Sequence, residues 1–485
     1  MPGLAVDPST SAPVVSPAEE RMAPVDCAWL RMDHPANLMV INGVWLFDEP
    51  LDRERLLRTV ERRLASVKRF RQRAVCRGGR WYWQDVPGLD AAAHLVEERL
   101  PPGSGERELR TLVGAEMERP LPPDRPLWKA HLVHGYGGGS AVLIRLHHCM
   151  GDGIALMVLM LAITDLEPSA DLREAPGTWG SENPLADLFG DEPLSPGDAL
   201  RYLEELMPEG AKLLARPAEM AAAIPRWLRG LGQVPAFARM SLRWPDPRTR
   251  LKGKLGGRKR VAWSRPVSLD QVRRAKEAVG GTVNDVLLTA ISGGLRRYLE
   301  AKGDRTERLS VRAIVPVSLR PLTRMQDLGN CFGLVFLPLQ VGERVAVRRL
   351  RHLQSRLKAL RHSFEPLTVL TVLGLLGRSP RWLQDLVLRI FGTKGTAVLT
   401  SVPGPCRPLY IAGHALRGLV FWVPTSGGLG LGISIISYAG EVRVGVATDA
   451  SLVPDPEGIV AGFEEELAFL EELAPAEPAA AIAAV

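Results

Sequence analysis

The stretch from Leu127 to Asp165 restricts the fold more than any other part of the chain. Leu127 to His134 and Ala141 to His148 are apolar runs of strand length, separated by Gly135-Tyr136-Gly137-Gly138-Gly139, and this spacing predicts a β-hairpin. The second run passes into His147-His148-Cys149-Met150-Gly151-Asp152-Gly153. Ile154 to Asp165 follows and is apolar almost all round. A helix without a polar face is buried on every side. A strand that turns on glycine into such a helix therefore belongs to a mixed α/β domain with a sizeable core.

The chain has 485 residues, too many for one ordinary core, and the expectation is two large domains. Met39 to Phe47 and Trp81-Tyr82-Trp83 read as strands. Leu51 to Arg69 reads as an amphipathic helix with Asp52 as its cap, and Glu106 to Glu118 as a second helix. From Pro168 to Arg260 the pattern loosens into proline-punctuated helical pieces and ends in a basic run, Arg248 to Arg260. Regular patterning returns with helices at Val267 to Ala278, Val283 to Glu300 and Pro456 to Leu473. Leu309 to Val317, Gly430 to Ser437 and Glu441 to Thr448 read as strands. The expected organisation is a leader (1–17), an N-terminal domain (18–185), a helical and basic connector (186–260), a C-terminal domain (261–474) and a tail (475–485).

A charge of +7 and a pI near 9.3 favour an anionic contact: CoA phosphates, a phospholipid surface or nucleic acid. The basic run has no interleaved aromatics, which argues against nucleic acid. Five cysteines without a CxxC pair argue against a disulfide framework or a structural zinc, and fit a reducing cytosol. The longest greasy segments, such as Leu367 to Leu376, run about ten residues, whereas crossing a bilayer takes about 20. Membrane contact is therefore expected to be peripheral. The connector cations, with Arg378, Arg381 and Arg389 around Leu367 to Ile390, would meet an anionic lipid surface. The alternative is a plain core helix with solvated ends.

Alternation along Ala141 to His148 puts Val142, Ile144, Leu146 and His148 on one face, and Leu143, Arg145 and His147 on the other. His148, at the strand end before a glycine turn, is the better placed of the two histidines, with His147 bonding into the scaffold. A neutral imidazole there suits a general base acting on an alcohol. Asp152, between two glycines, would curl back and brace the loop through an arginine. The competing reading for a lone histidine on an apolar strand is a satisfied core residue. A metal site drawing His131 and His134 together with His147 and His148 is disfavoured, because a His-x-x-His pair on a strand diverges. Cys149 beside them reads as packing rather than as a nucleophile. No Gly-x-Ser-x-Gly elbow, complete Walker A loop or dinucleotide fingerprint is present.

The segment His147 to Gly153 fits the pattern HHxxxDG. Further segments follow in a recognisable order: Pro24-Val25-Asp26, Pro126-Leu127-Trp128, Asn284-Asp285, Pro316-Val317-Ser318-Leu319-Arg320, Gly329-Asn330, Val402-Pro403-Gly404-Pro405 and Ser437-Tyr438-Ala439-Gly440. Over nearly its whole length the sequence resembles the bacterial wax ester synthase/diacylglycerol acyltransferase family. That family belongs to the superfamily of chloramphenicol acetyltransferase, carnitine acyltransferases and peptide-synthetase condensation domains. One departure is Thr400-Ser401, where the family usually carries Ser-Asn before Val-Pro-Gly-Pro.

The resemblance implies an α+β fold of two chloramphenicol-acetyltransferase-like domains, each a mixed sheet flanked by helices, with the active site in a channel between them. It implies His148 as base beside His147 and Asp152. Gly153, Asn284 and Asp285 would lie at the substrate. Asn284 would place substrate or the tetrahedral oxyanion, or else cap its helix. Asp152 would pair with Arg71 or, second, Arg320, unless these are solvated charges. The implied substrates are long-chain acyl-CoA and a fatty alcohol or diacylglycerol, giving wax ester or triacylglycerol, with no metal or organic cofactor. The implied place is the cytoplasm, peripheral on the inner membrane or on lipid inclusions. The rivals are a condensation-type or polyketide-associated acyltransferase fed by a carrier-protein thioester, and a non-enzymatic lipid-surface binding protein.

Overall fold

The computed structural model describes residues 18–153, 163–168, 244–319, 329–361, 363 and 365–473. Positions 154–162 of the expected buried helix, residues 169–243 with most of the expected connector (186–260), and Arg320 lie outside the described residues, as do the leader and tail.

The predicted hairpin forms from Trp128–Tyr136 and Gly139–His147, paired antiparallel with an irregularity between His134 and Tyr136. Gly135, Gly137 and Gly138 all have positive φ, which explains the glycine-rich turn. Val40–Phe47 pairs with the other edge of Gly139–His147, and Leu95–Arg99 lies parallel to Trp128–Tyr136. Alternation then gives this sheet two different faces. Val44, Leu46 and Leu143 pack against Leu109, Val113 and Met117 of the Glu106–Met117 helix. Each such buried side chain contributes roughly 1.5–3 kcal/mol relative to exposure. Arg145 shares that side, buried, with Nη1 3.2 Å from Glu116 Oε2 and Nε bonded to Asn42 Oδ1. On the opposite side, Trp45, Val142 and Leu146 join a core with Leu56, Val60 and Leu64. The last three lie on the Arg53–Thr59 helix and its π-helical continuation Val60–Leu64. Asp52 caps that helix by accepting from Arg55 N at 2.7 Å, as the sequence led us to expect.

The C-terminal sheet is mixed, in the order Phe332–Leu339, Val311–Ser318, Ala397–Val402, Leu431–Tyr438, Glu441–Asp449, Lys259–Trp263, with Val267–Ser268 also on Glu441–Asp449. The three strands from Val311–Ser318 to Leu431–Tyr438 run parallel, and the remaining pairings are antiparallel. The helices Val283–Ala301 and Glu457–Glu472 pack closely together beside it. A Cβ on Gly294 would stand 2.6 Å from Phe463 N.

The sequence reading assigned 261–474 to one domain. Gly418–Trp422 instead crosses over and becomes an edge strand of the N-terminal sheet, antiparallel to Val40–Phe47. The core likewise ignores the boundary, because Trp29, Trp45 and Met150 share one apolar cluster with Phe332, Phe336, Leu373 and Ile436. The site described next lies where these parts meet.

Candidate active site

The strand Gly139–His147 ends at His147, and His148–Met150 forms a 3-10 turn. His147 is turned into the scaffold: its Nδ1 accepts from Cys149 N at 3.2 Å, and Nε2 lies 3.3 Å from Asp33 Oδ2. His148 is carried the other way, its own N–H donating to Met39 O at 2.7 Å. Its ring stacks on Trp29 (centroids 4.4 Å apart, 12° between planes) and tilts against Phe332 at 5.4 Å. Trp29 lies on the helix Pro24–Arg31 and Phe332 opens the strand Phe332–Leu339. Trp29 and Phe332 also stack on each other at 5.4 Å, so the imidazole completes a three-ring cluster drawn from both halves of the chain.

The orientation of that ring follows from a count of donors and acceptors. Asn330 Nδ2 donates to Asp26 Oδ1 and to His148 O, both at 2.8 Å, and Asn330 N also donates to Asp26 Oδ1. Both side-chain protons of the amide are committed, so its Oδ1, 3.0 Å from His148 Nδ1, is an acceptor only. Nδ1 therefore carries the proton and Nε2 the lone pair, the tautomer that a base needs. Burial pushes the imidazole down to about 4, with Asp152 and Asn330 pulling upward, so the ring is neutral at physiological pH. Burial also pushes Asp26 up to about 6, opposed by its bonds from Asn330 and by Arg69.

Asp152 is buried and stitches the turn to the C-terminal half. Its Oδ2 accepts from Cys331 N at 2.9 Å, and its N–H donates to Gly329 O. Gly151 is extended (φ 174°), so the freedom we expected glycine to give is not used there. The left-handed residue is Gly329 (φ 118°) on the facing segment. A Cβ on Gly153 would stand 3.8 Å from Val402 Cγ2, and Gly153 lines a cavity of about 1120 Å³, open mouth included. Every described lining residue is apolar or glycine: Ile41, Trp45, Val142, Ile144 and Leu146 supply the sheet side, and Leu56, Val60 and Leu64 the helix side. Such a space accepts a hydrocarbon chain and offers no partner to a polar one.

Other sequence candidates fall elsewhere. Arg71 is exposed and makes no ion pair with a described residue. Three residues per turn in the 3-10 helix Lys68–Arg71 put it on a different face from Arg69. Arg69 is the largely buried arginine there, stacked over Trp83 at 4.2 Å and acting on Asp26. Thr282, not Asn284, caps the helix Val283–Ala301, and Asp285 closes the capping box through Thr282 N at 3.0 Å. Neither Asn284 nor Asp285 bonds to the His148 cluster. Asn284 Oδ1 is buried with no hydrogen-bond partner among the described residues.

The histidines of the metal alternative diverge: His134 Nε2 meets Glu97 at 2.8 Å, and His131 lies between Glu98 and Glu116. Those last three are the described residues nearest to a ligand cluster, yet Arg145 already holds the Glu116 oxygen that faces His131. Cys149 is buried, and burial holds its thiol well above the usual range, which suits packing. Asp26, Trp29, Asn330 and Phe332 were not singled out as site members from sequence. The segments Pro24-Val25-Asp26 and Gly329-Asn330 carry part of the family resemblance in the sequence but no local chemical signature.

Comparison with known proteins gives a consistent picture. Residues 22–287 match the model of the wax ester synthase/diacylglycerol acyltransferase catalytic domain, and residues 328–471 match that family's C-terminal domain. A probable diacylglycerol O-acyltransferase of Mycobacterium tuberculosis is 28% identical over 427 residues, covering 86% of this chain and 88% of that one. The structure of a wax ester synthase/diacylglycerol acyltransferase from Marinobacter aquaeolei VT8 superposes with a TM-score of 0.66 at 24% identity, over 94% of this chain and 100% of that chain. The first condensation domain of the calcium-dependent antibiotic synthetase shares the fold at a TM-score of 0.58 and 20% identity, over 96% and 98% of the two chains. With both halves matched in order around the HHxxxDG turn, the chain belongs to the wax ester synthase/diacylglycerol acyltransferase family and is an acyltransferase.

Proposed function

We propose that the protein moves a long-chain acyl group from acyl-CoA directly to the hydroxyl of a fatty alcohol or diacylglycerol, with His148 Nε2 as the base. The observation that carries this reading is the commitment of Nδ1–H to Asn330, which leaves a neutral Nε2 beside a turn whose Gly153 lines an apolar cavity. The acyl chain lies in that cavity. The acceptor hydroxyl gives its proton to Nε2 as its oxygen bonds to the thioester carbonyl carbon. The tetrahedral oxyanion then collapses, the C–S bond breaks, and the CoA thiolate takes the proton back from His148. Ester and free CoA leave, and the imidazole is neutral again.

Asn330 and Asp26 fix the ring, while Asp152 holds the turn against the other half of the molecule. Proton transfer by a base of this kind accounts for roughly 10²- to 10⁴-fold in rate, and holding the two substrates together supplies much of the rest. Asn284 is assigned to substrate, since its buried Oδ1 has no hydrogen-bond partner among the described residues. Asp285 is assigned to holding the start of that helix. The scheme calls on no metal or organic cofactor. No described helix is long and apolar enough to cross a membrane. On this reading the protein works peripherally, at the inner membrane or on lipid inclusions.

The test is a panel of alcohols and diacylglycerol with palmitoyl-CoA, following free CoA. Release of CoA should require an acceptor, with no stoichiometric burst in its absence. A burst without acceptor would replace direct transfer by an acyl-enzyme. Turnover only with a carrier-protein thioester would replace the donor.

A further inference from the structure

We propose that the outer face of the helix Arg381–Thr393, with Leu375 before it and Trp244 at its far end, seats the protein on an anionic phospholipid layer. The inner face of this helix is fully engaged. Gln384 Nε2 donates to Ala28 O at 2.8 Å, Phe391 packs on Phe336, and Gly392 lies against Gly427 so closely that a Cβ would meet Gly427 O. The outer face shows no such engagement with the described residues. Trp382, Leu386 and Ile390, at i, i+4 and i+8, are 65%, 44% and 41% exposed, and that spacing places them along one side. Trp244 is 86% exposed. It is held at the helix end because Asp246 N donates to Thr393 O, while Arg312 Nη2 donates to Trp244 O.

Charge selects the partner. Arg378, Arg381 and Arg389 are exposed along the same helix and its preceding corner, and none forms an ion pair with a described residue. Asp385 is the helix's one acid. An apolar stripe with tryptophan, bordered by exposed arginines that lack an acidic partner among the described residues, matches an acyl and phosphate boundary rather than water or a neutral protein surface. Three of the connector cations expected to help are otherwise engaged. Arg250 pairs with Asp304 at 2.7 Å, Lys252 bonds to Thr393 O and Gly395 O, and Lys259 bonds to Asn37 Oδ1. Leu367 to Leu376, the greasiest segment, is largely buried, with Leu375 its exposed large residue.

The consequence for catalysis rests on the lipid-acceptor reading above. The helix that meets lipid is bonded to Pro24–Arg31, the helix that carries Asp26 and Trp29, so an acceptor dissolved in the layer starts one helix away from His148.

The experiment floats the full chain with vesicles of phosphatidylcholine alone or with phosphatidylglycerol. It uses the wild type, the variant Trp382→Gln/Leu386→Gln/Ile390→Gln, and the variant Arg378→Gln/Arg381→Gln/Arg389→Gln. Thermal melts and turnover on detergent-dispersed diacylglycerol serve as controls. Wild type should float with the anionic vesicles, each variant should float at least about tenfold less, and all should keep turnover in detergent. If the apolar variant does not fold, the arginine variant and the salt dependence of wild-type binding decide. Wild type left in the soluble fraction, or variants that float equally well, would overturn the proposal. So would loss of a self-associated species in place of vesicle binding. Flotation without turnover on any lipid acceptor would instead count against the functional reading and leave the surface standing.

Discussion

His148 is buried, neutral and hydrogen-bonded at Nδ1, and these three facts set its chemistry together. Because the imidazole is held down to about 4, the basic form is present throughout the physiological range and is lost only as pH falls through that value. The acid limb of kcat/KM for the free enzyme should therefore lie well below the 6.5 of an unperturbed imidazole. Asp152, His147 and Asn330 are the neighbours that act on this ring. Asn330→Asp would face the ring with a carboxylate, stabilise the imidazolium and move the limb upward. Asn330→Ala should lower kcat by about 10- to 100-fold, with a smaller change in KM, since it frees the tautomer without touching the cavity. A limb at 6.5 that neither variant moves would contradict the assignment. At this scale the sequence was half legible. His148 and Asp152 stand in one short motif, but Asn330 lies 182 residues from His148 and Asp26 lies 304 from Asn330. A hydrogen-bond network that closes only when distant segments meet has no local signature.

At the scale of elements, the cavity proposed for the acyl chain lies between the N-terminal sheet and the helix facing it. The alternation read along Ala141 to His148 places Val142, Ile144 and Leu146 on the cavity face, and the same alternation sends Leu143 and Arg145 to the helix side. His148 follows directly after the strand, as the first residue of the 3-10 turn His148–Met150. Ile144→Trp should fill part of the cavity. At roughly 0.8 kcal/mol per buried methylene, excluding two of them lowers kcat/KM for palmitoyl-CoA about tenfold while sparing decanoyl-CoA. Equal loss for both donors would place the chain elsewhere.

A second element-level case separates propensity from packing. Gly294→Ala gains up to about 1 kcal/mol of helix propensity, yet its Cβ would stand 2.6 Å from Phe463 N. Overpacking against backbone costs about 1–3 kcal/mol, so the urea midpoint should fall. A rise would mean that the two helices can separate freely.

For the whole molecule, the strand Gly418–Trp422 is decisive. Its five residues carry no turn or spacing signal that names a partner, and only the folded topology shows that they complete the N-terminal sheet. The shared core and this crossing tie the halves into one cooperative unit. Far-UV dichroism and tryptophan fluorescence should accordingly report coincident unfolding, and two separated transitions would contradict that. Asn330 and Phe332 come from the C-terminal half and meet His148 of the N-terminal half, so on the proposed reading catalysis needs both halves assembled. The most direct measurement is single-turnover release of CoA from palmitoyl-CoA with hexadecanol and with diacylglycerol, comparing wild type and His148→Ala. A loss of about 10²- to 10⁴-fold with an unchanged dichroism spectrum and melting curve is the predicted result. Near-normal release by the folded variant would contradict the central role of this imidazole.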